Sequence, residues 1–240
     1  MDEGPAGTMS DIYHDGRYLE DNPDWHEGDA DWKAGNIARL LKANGLQPAT
    51  LADVGCGTGG VLRGLVERKV AGSYHGFEIS PQAHAIAAER GASEIAFHHQ
   101  DLLTAPADVT FDVVMAIDVF EHVEDYLGFL RDLRVRGAHA VFHIPLDLSA
   151  QAIVRSSPIL GNRERLGHLH YFTKDTALAT LADAGYDVVD FFYTAAALER
   201  GENLSARAKL LRLPRRLMSA ASPDLAARLL GGWSLMVLAR

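Results

Sequence analysis

Between residues 51 and 60 the chain reads Leu-Ala-Asp-Val-Gly-Cys-Gly-Thr-Gly-Gly. An apolar strand that runs into Gly55, Gly57 and Gly59 has to turn sharply, and the missing side chains let backbone approach a ligand closely. A helical apolar pattern from Val61 to Arg68 follows at once. This is the opening strand, turn and helix of an α/β sheet, whose ligands sit at the C-terminal edge of the strands. Alternate glycines alone are weak evidence, because tight strand-to-helix turns need glycine anyway. The rest of the chain has to supply the specificity.

It does so first by order. Short apolar runs alternate with helical patterns, as a parallel sheet requires. Strands are predicted over Leu51–Val54, Tyr74–Glu78, Ile95–His98, Phe111–Ile117 and Ala138–Ile144. Helices are predicted over Asp31–Ala43, Val61–Arg68, Pro81–Arg90 and Val123–Leu133. After Pro145 comes a long connection, Leu146–Tyr171, of the length usually reserved for function. A helix capped by Thr173 reaches Ala184, a sixth strand covers Tyr186–Tyr193 and a seventh Trp233–Ala239. The pattern divides the chain into an N-terminal arm and helix over 1–45, read as a lid, and a ligand-binding domain over 46–240 with a helical insertion at 200–231.

Acidic residues then stand where a nucleoside would need them. Glu78 closes the second strand, 23 residues beyond Gly55, placed to accept from both hydroxyls of a ribose. Asp101 follows the third strand, placed to accept from an adenine amino group, and Asp53 lies two residues before the first glycine. A ligand with a ribose, an adenine and a cationic amino-acid tail satisfies all three. The third glycine comes one residue early for a dinucleotide fingerprint. Asp53-Val-Gly-Cys-Gly-Thr-Gly, Glu78, Asp101 and the Phe111-Asp112 start of strand four resemble class I S-adenosylmethionine-dependent methyltransferases over roughly Leu51–Tyr193. The resemblance implies a doubly wound seven-stranded sheet in the order 3-2-1-4-5-7-6, strand 7 antiparallel, with helices on both faces. It also implies S-adenosyl-L-methionine held by Asp53, Gly55, Gly57, Gly59, Glu78, Ile79, Asp101, Leu102 and Asp118.

Methyl transfer from a sulfonium is an in-line displacement, so the protein positions an acceptor and removes its proton. Histidines at strand ends are the candidates for that proton. His122 lies in Ile117-Asp118-Val119-Phe120-Glu121-His122-Val123, a segment resembling that of ubiquinone-type O-methyltransferases after strand four. His168 and His170 lie in Gly167-His168-Leu169-His170-Tyr171-Phe172; in extended chain the pair would share one face. His170 is placed ahead of His168 because Tyr171 and Phe172 adjoin it. His143, inside an apolar strand run, reads as a buried structural histidine. Asp118-x-x-Glu121-His122 followed by a later histidine also resembles the metal site of small-RNA 2′-O-methyltransferases, which have Glu where this chain has Asp118. A metal-assisted enzyme using Asp118, Glu121, His122 and His170 is therefore the alternative, with the metal-free base favoured. An alternative of another class is a non-catalytic partner subunit that binds the same cofactor.

Composition narrows the partners. The formal net charge is −9, which repels a polyanion such as duplex DNA. The one dense basic stretch is Arg207, Lys209, Arg212, Arg215 and Arg216, suited at most to a weak contact with an anionic acceptor or membrane surface. No apolar run reaches the roughly 18 residues that cross a bilayer. The polar, acidic N-terminus does not read as a signal peptide, and a single Cys56 forms no internal disulfide. These features fit a cytoplasmic monomer or homodimer that methylates a polar small molecule or a sugar or glycan precursor, on a hydroxyl in preference to an amine. The aromatic arm, with Tyr13, Tyr18, Trp25, His26, Trp32 and Lys33, would cover the cofactor.

Overall fold

The structure is a computed structural model that describes residues 27–199 and 206–240. Most of the arm, including Tyr13, Tyr18, Trp25 and His26, lies outside the described residues, as do residues 200–205 of the insertion.

Seven strands form one sheet: β1 (Thr50–Val54), β2 (Ser73–Phe77), β3 (Ile95–His98), β4 (Phe111–Ile117), β5 (Gly137–Pro145), β6 (Val188–Thr194) and β7 (Ser234–Ala239). Their order is β3-β2-β1-β4-β5-β7-β6, and β7 runs antiparallel to both β5 and β6, as the resemblance implied. The central strands are buried on both faces, which is why they read as continuous apolar runs. Successive β4 side chains go to opposite faces. Val113, Met115 and Ile117 join Leu51, Val141 and Met236 in one core, whereas Val114 and Ala116 join Val54, Phe142 and Val237 in the other.

Two helices close the first core. Helix α1 (Glu27–Ala43) buries Ala34, Ile37, Leu40 and Leu41, and α2 (Gly60–Glu67) buries Leu62 and Leu65. Gly64 of α2 lets them approach closely, since a Cβ there would lie 2.7 Å from that of Ala34. Helix α3 (Pro81–Arg90) follows β2, capped by the Ser80 hydroxyl. On the second face lie α4 (Tyr126–Arg134) and, after the β5 connection, α7 (Lys174–Asp183). That connection is not irregular: it holds α5 (Ala150–Arg155) and α6 (Ser157–Leu166).

Three expectations need correction. The helix predicted from Val123 begins instead with a 3-10 turn, Phe120–His122, and α4 starts only where Asp125 caps it. Tyr186 does not open the sixth strand; its ring is buried and its hydroxyl donates to the Leu130 carbonyl. Between β6 and β7 lie α8 (Ala196–Glu199), α9 (Ala206–Ala221) and α10 (Pro223–Leu230), so helix begins before the predicted insertion. The basic stretch is partly spent on chain carbonyls: Arg215 donates to Leu230 and Gly231, and Arg216 to Leu198. The side chains of Arg207, Lys209 and Arg212 lie outside the described set. Among the described residues no helix is long and apolar enough to cross a membrane.

Candidate active site

A cleft of about 750 Å³ opens at the C-terminal edge of β1, β2, β4 and β5. The glycine turn forms its floor. Gly55, Gly57 and Gly59 all take positive φ, at 73°, 55° and 77°. Gly55 and Gly57 line the cleft. Gly59 does not; a Cβ there would lie 2.6 Å from the Phe97 ring, so its constraint comes from packing. Glu78, just beyond β2, accepts from the Gly57 N–H at 2.8 Å and the Ser80 N–H at 2.7 Å, one bond to each carboxylate oxygen. Burial nevertheless pushes its pKa up, with those N–H groups opposing. Ile79 and Asp101 reach the cleft, Asp101 while also accepting from the Leu103 N–H at 2.8 Å. Leu102 lies in the core beneath, fully buried and off the lining.

Helix α1 crosses one wall of this cleft. Glu27 accepts from the Thr58 hydroxyl and from Arg63, which pins the helix start to the glycine turn. Lys33, one turn and a half further on, pairs with Asp118 at 2.7 Å. Asp118 adopts φ 55°, a left-handed conformation uncommon for a non-glycine residue and typical of functional turns. Its other oxygen meets His143 Nδ1 at 2.6 Å, and His143 Nε2 meets the Thr194 hydroxyl at 2.9 Å. Burial would raise the Asp118 pKa, but His143 and Lys33 hold its carboxyl well below the usual range. His143 is thus buried and hydrogen-bonded at both nitrogens, as its strand position suggested, yet it also lines the cleft. Asp53 is nearly fully buried with Oδ1 lacking a hydrogen bond; burial, with the Glu78 charge adding, pushes it up to about 8 against the pull of Lys33.

A second cluster stands at the ends of β4 and β5. The 3-10 turn after β4 carries Glu121 and His122, and the Glu121 carbonyl accepts from the N–H groups of Leu169 and His170. That backbone anchor brings His168 to the same place. The His122 and His168 rings meet edge to face at 4.9 Å, and one ligand atom each from Glu121, His122 and His168 lies within 4.8 Å of the others. Glu121 is fully buried, and neither of its carboxylate oxygens has a hydrogen bond. Burial raises its pKa well above the usual range, and the charges of Asp118 and Asp147 add to it.

The histidine pair does not share a face. His168 lines the cleft, its Nδ1 on Asp147 at 2.6 Å, whereas His170 puts Nε2 on the Val123 carbonyl at 2.9 Å, packs on Tyr126 and leaves the lining. Of the pair, only His168 therefore lines the cleft. The four-residue metal set is not assembled either, because Asp118 is tied to Lys33 and His143 and His170 faces elsewhere. The sequence places Lys33 only in the arm. Asp147 was missed, although it stands two residues past the Pro145 that ends β5, at the edge where ligands gather.

Sheet order, glycine turn and strand-end acids together define the class I methyltransferase fold. A family model described as a methyltransferase domain matches residues 25–190, and the chain belongs to that family. It is 35% identical over 114 residues to ajmaline N-methyltransferase of Rauvolfia serpentina, covering 43% of this chain and 39% of that enzyme. The chain thus spans about two fifths of that relative's length. It is 28% identical over 195 residues to the malonyl-[acyl-carrier protein] O-methyltransferase of Geobacter sulfurreducens, covering 70% of each. Magnesium protoporphyrin IX methyltransferase from Synechocystis PCC 6803, solved with bound S-adenosylhomocysteine, superimposes with a TM-score of 0.57 at 14% identity, over 99% of this chain and 89% of its own; that likeness is one of fold.

Proposed function

We propose that the protein transfers the methyl group of S-adenosyl-L-methionine to a hydroxyl, in preference to an amine, of a polar small molecule such as a sugar or glycan precursor. The carrying observation is the Glu121, His122 and His168 cluster at one end of the cleft, built around a fully buried carboxylate without hydrogen bonds. In this reading Glu78 turns toward the ribose a carboxylate that the Gly57 and Ser80 N–H groups hold in place, with lone pairs left to accept. Asp101 faces the adenine, and Asp53 accepts from the ammonium of the methionine tail. The acceptor oxygen displaces the thioether in line, so the C–O bond forms as the C–S⁺ bond breaks. The hydroxyl proton passes to His168, which replaces His170 as the favoured base. An acceptor that brings no proton, such as a carboxylate, would gain nothing from that arrangement.

The test uses S-adenosylmethionine labelled in its methyl group and a metabolite extract fractionated by charge. The label is expected in a neutral, alkali-stable ether. Label released by alkali would identify a carboxylate ester, and label retained on a cation exchanger an amine; either overturns the hydroxyl assignment.

The same Glu121, whose carboxylate makes no hydrogen bond and lies 3.9 Å from His122 Nε2, favours a second reading, in which Glu121, His122 and His168 hold a divalent cation. Carboxylate and imidazole are suitable donors, and the cation would supply Lewis acidity to the acceptor oxygen. Under this reading Mn²⁺ alone binds in calorimetry and Glu121→Gln removes that binding, while chelation stops turnover and Mn²⁺ restores it. Under the favoured reading chelation leaves turnover unchanged.

A further inference from the structure

His168 is held more firmly than a loop histidine needs to be. Gly167, at φ 79°, ends α6, and the next N–H, that of His168, donates to the Asn162 carbonyl at 3.4 Å. The His168 carbonyl accepts from the Tyr171 hydroxyl at 2.9 Å. On the ring, Nδ1 meets Asp147 Oδ2 at 2.6 Å. Asp147 is itself fixed from both sides: the Leu146 N–H donates to Trp233 and the Leu148 N–H to Phe172. Its second oxygen, Oδ1, accepts from the Asn162 side-chain amide at 2.9 Å.

We propose that Asp147, aligned by Asn162, is a positioning residue that holds His168 as its Nδ1–H tautomer and keeps Nε2 unprotonated for the Glu121 and His122 cluster. A carboxylate only accepts, so the proton of this bond sits on Nδ1 of the imidazole. Nε2 is then the one ring atom left to take a proton from an acceptor, or to bind a cation if that reading holds. The inference rests on reading the cluster as the acceptor end of the cleft.

The arrangement makes a directional prediction for Asp147→Asn. Asn162 still presents a donor to the position of Oδ1, so the new carboxamide turns its oxygen there. Its NH₂ group is left facing His168. Nδ1 must then accept, and the ring proton moves to Nε2, where it blocks proton uptake. The probe is ¹⁵N-imidazole long-range NMR correlation on protein saturated with S-adenosylhomocysteine. The native protein is expected as Nδ1–H, Asp147→Asn as Nε2–H, and Asp147→Asn combined with Asn162→Ala as a mixture of both. Affinity for S-adenosylhomocysteine is expected to stay within about threefold in each, because none of these side chains lies at the glycine turn. A native Nε2–H ring, an unchanged tautomer in Asp147→Asn, or collapse of cofactor binding in that variant would overturn the positioning role. A double variant that stays wholly inverted would remove Asn162 from it. The tautomer is read without any acceptor, so a wrong acceptor class leaves this result intact, and an unchanged tautomer leaves methyl transfer standing.

Discussion

Gly57→Val is expected to abolish the binding of S-adenosylhomocysteine in calorimetry while the thermal unfolding transition persists. Gly57 has φ 55° and lines the cleft, with its N–H on Glu78 at 2.8 Å. A β-branched residue in that conformation is strained by about 1–3 kcal/mol. Relieving the strain would turn the N–H away from Glu78 and release the carboxylate expected to hold the ribose. Leaving it in place would put two methyl groups into the space the adenosyl moiety needs. Either way the cofactor loses its seat. Unchanged affinity in a folded variant would mean that the cofactor lies elsewhere.

The fold was legible because its signals are local and redundant. A strand buried on both faces needs a nearly continuous apolar run; β4 supplies one at Val113–Ile117, and β5 another at Ala140–Ile144, interrupted only by His143. A sharp turn after β1 needs glycine, and three are there. What the sequence obscured were elements set by distant contacts. The turn Phe120–His122 carries apolar and polar residues that suit an α-helix equally well. It stays 3-10 because its carbonyl at Glu121 is committed to Leu169 and His170, more than forty residues away in the chain. The Tyr186 ring leaves the strand pattern for a similar reason, the Leu130 carbonyl across the sheet face.

Site residues were legible where backbone chemistry dictates them and obscure where side chains choose between partners. Asp53, Gly57, Glu78 and Asp101 follow from the geometry of a glycine turn beside strand ends. His168 and His170 are equivalent by spacing, and only Asp147 on one side and the Val123 carbonyl on the other separate them. Asp118 presented itself as a possible ligand for cofactor or metal, but its partners Lys33 and His143 come from α1 and β5, elements that no motif links.

His168→Ala is the substitution on which the acceptor end of the cleft stands or falls. The His168 ring is buried against His122 and hydrogen-bonds Asp147, away from the glycine turn, so affinity for S-adenosylhomocysteine should stay within about twofold. Turnover of the acceptor should fall about 10²–10⁴-fold, the usual worth of a positioned base, equivalent to about 3–5 kcal/mol in the barrier. His170→Ala should cost far less, since Nε2 of His170 is spent on the Val123 carbonyl and His170 itself does not line the cleft. Its loss would show chiefly as a lower melting temperature. The contrast separates chemistry from packing, because both residues sit on one short segment, which the N–H groups of Leu169 and His170 anchor to the Glu121 carbonyl. If the two variants lose turnover equally while keeping the cofactor, the segment matters only as a wall. If neither does, positioning alone carries the methyl transfer, and the proton leaves to water without help from this cluster.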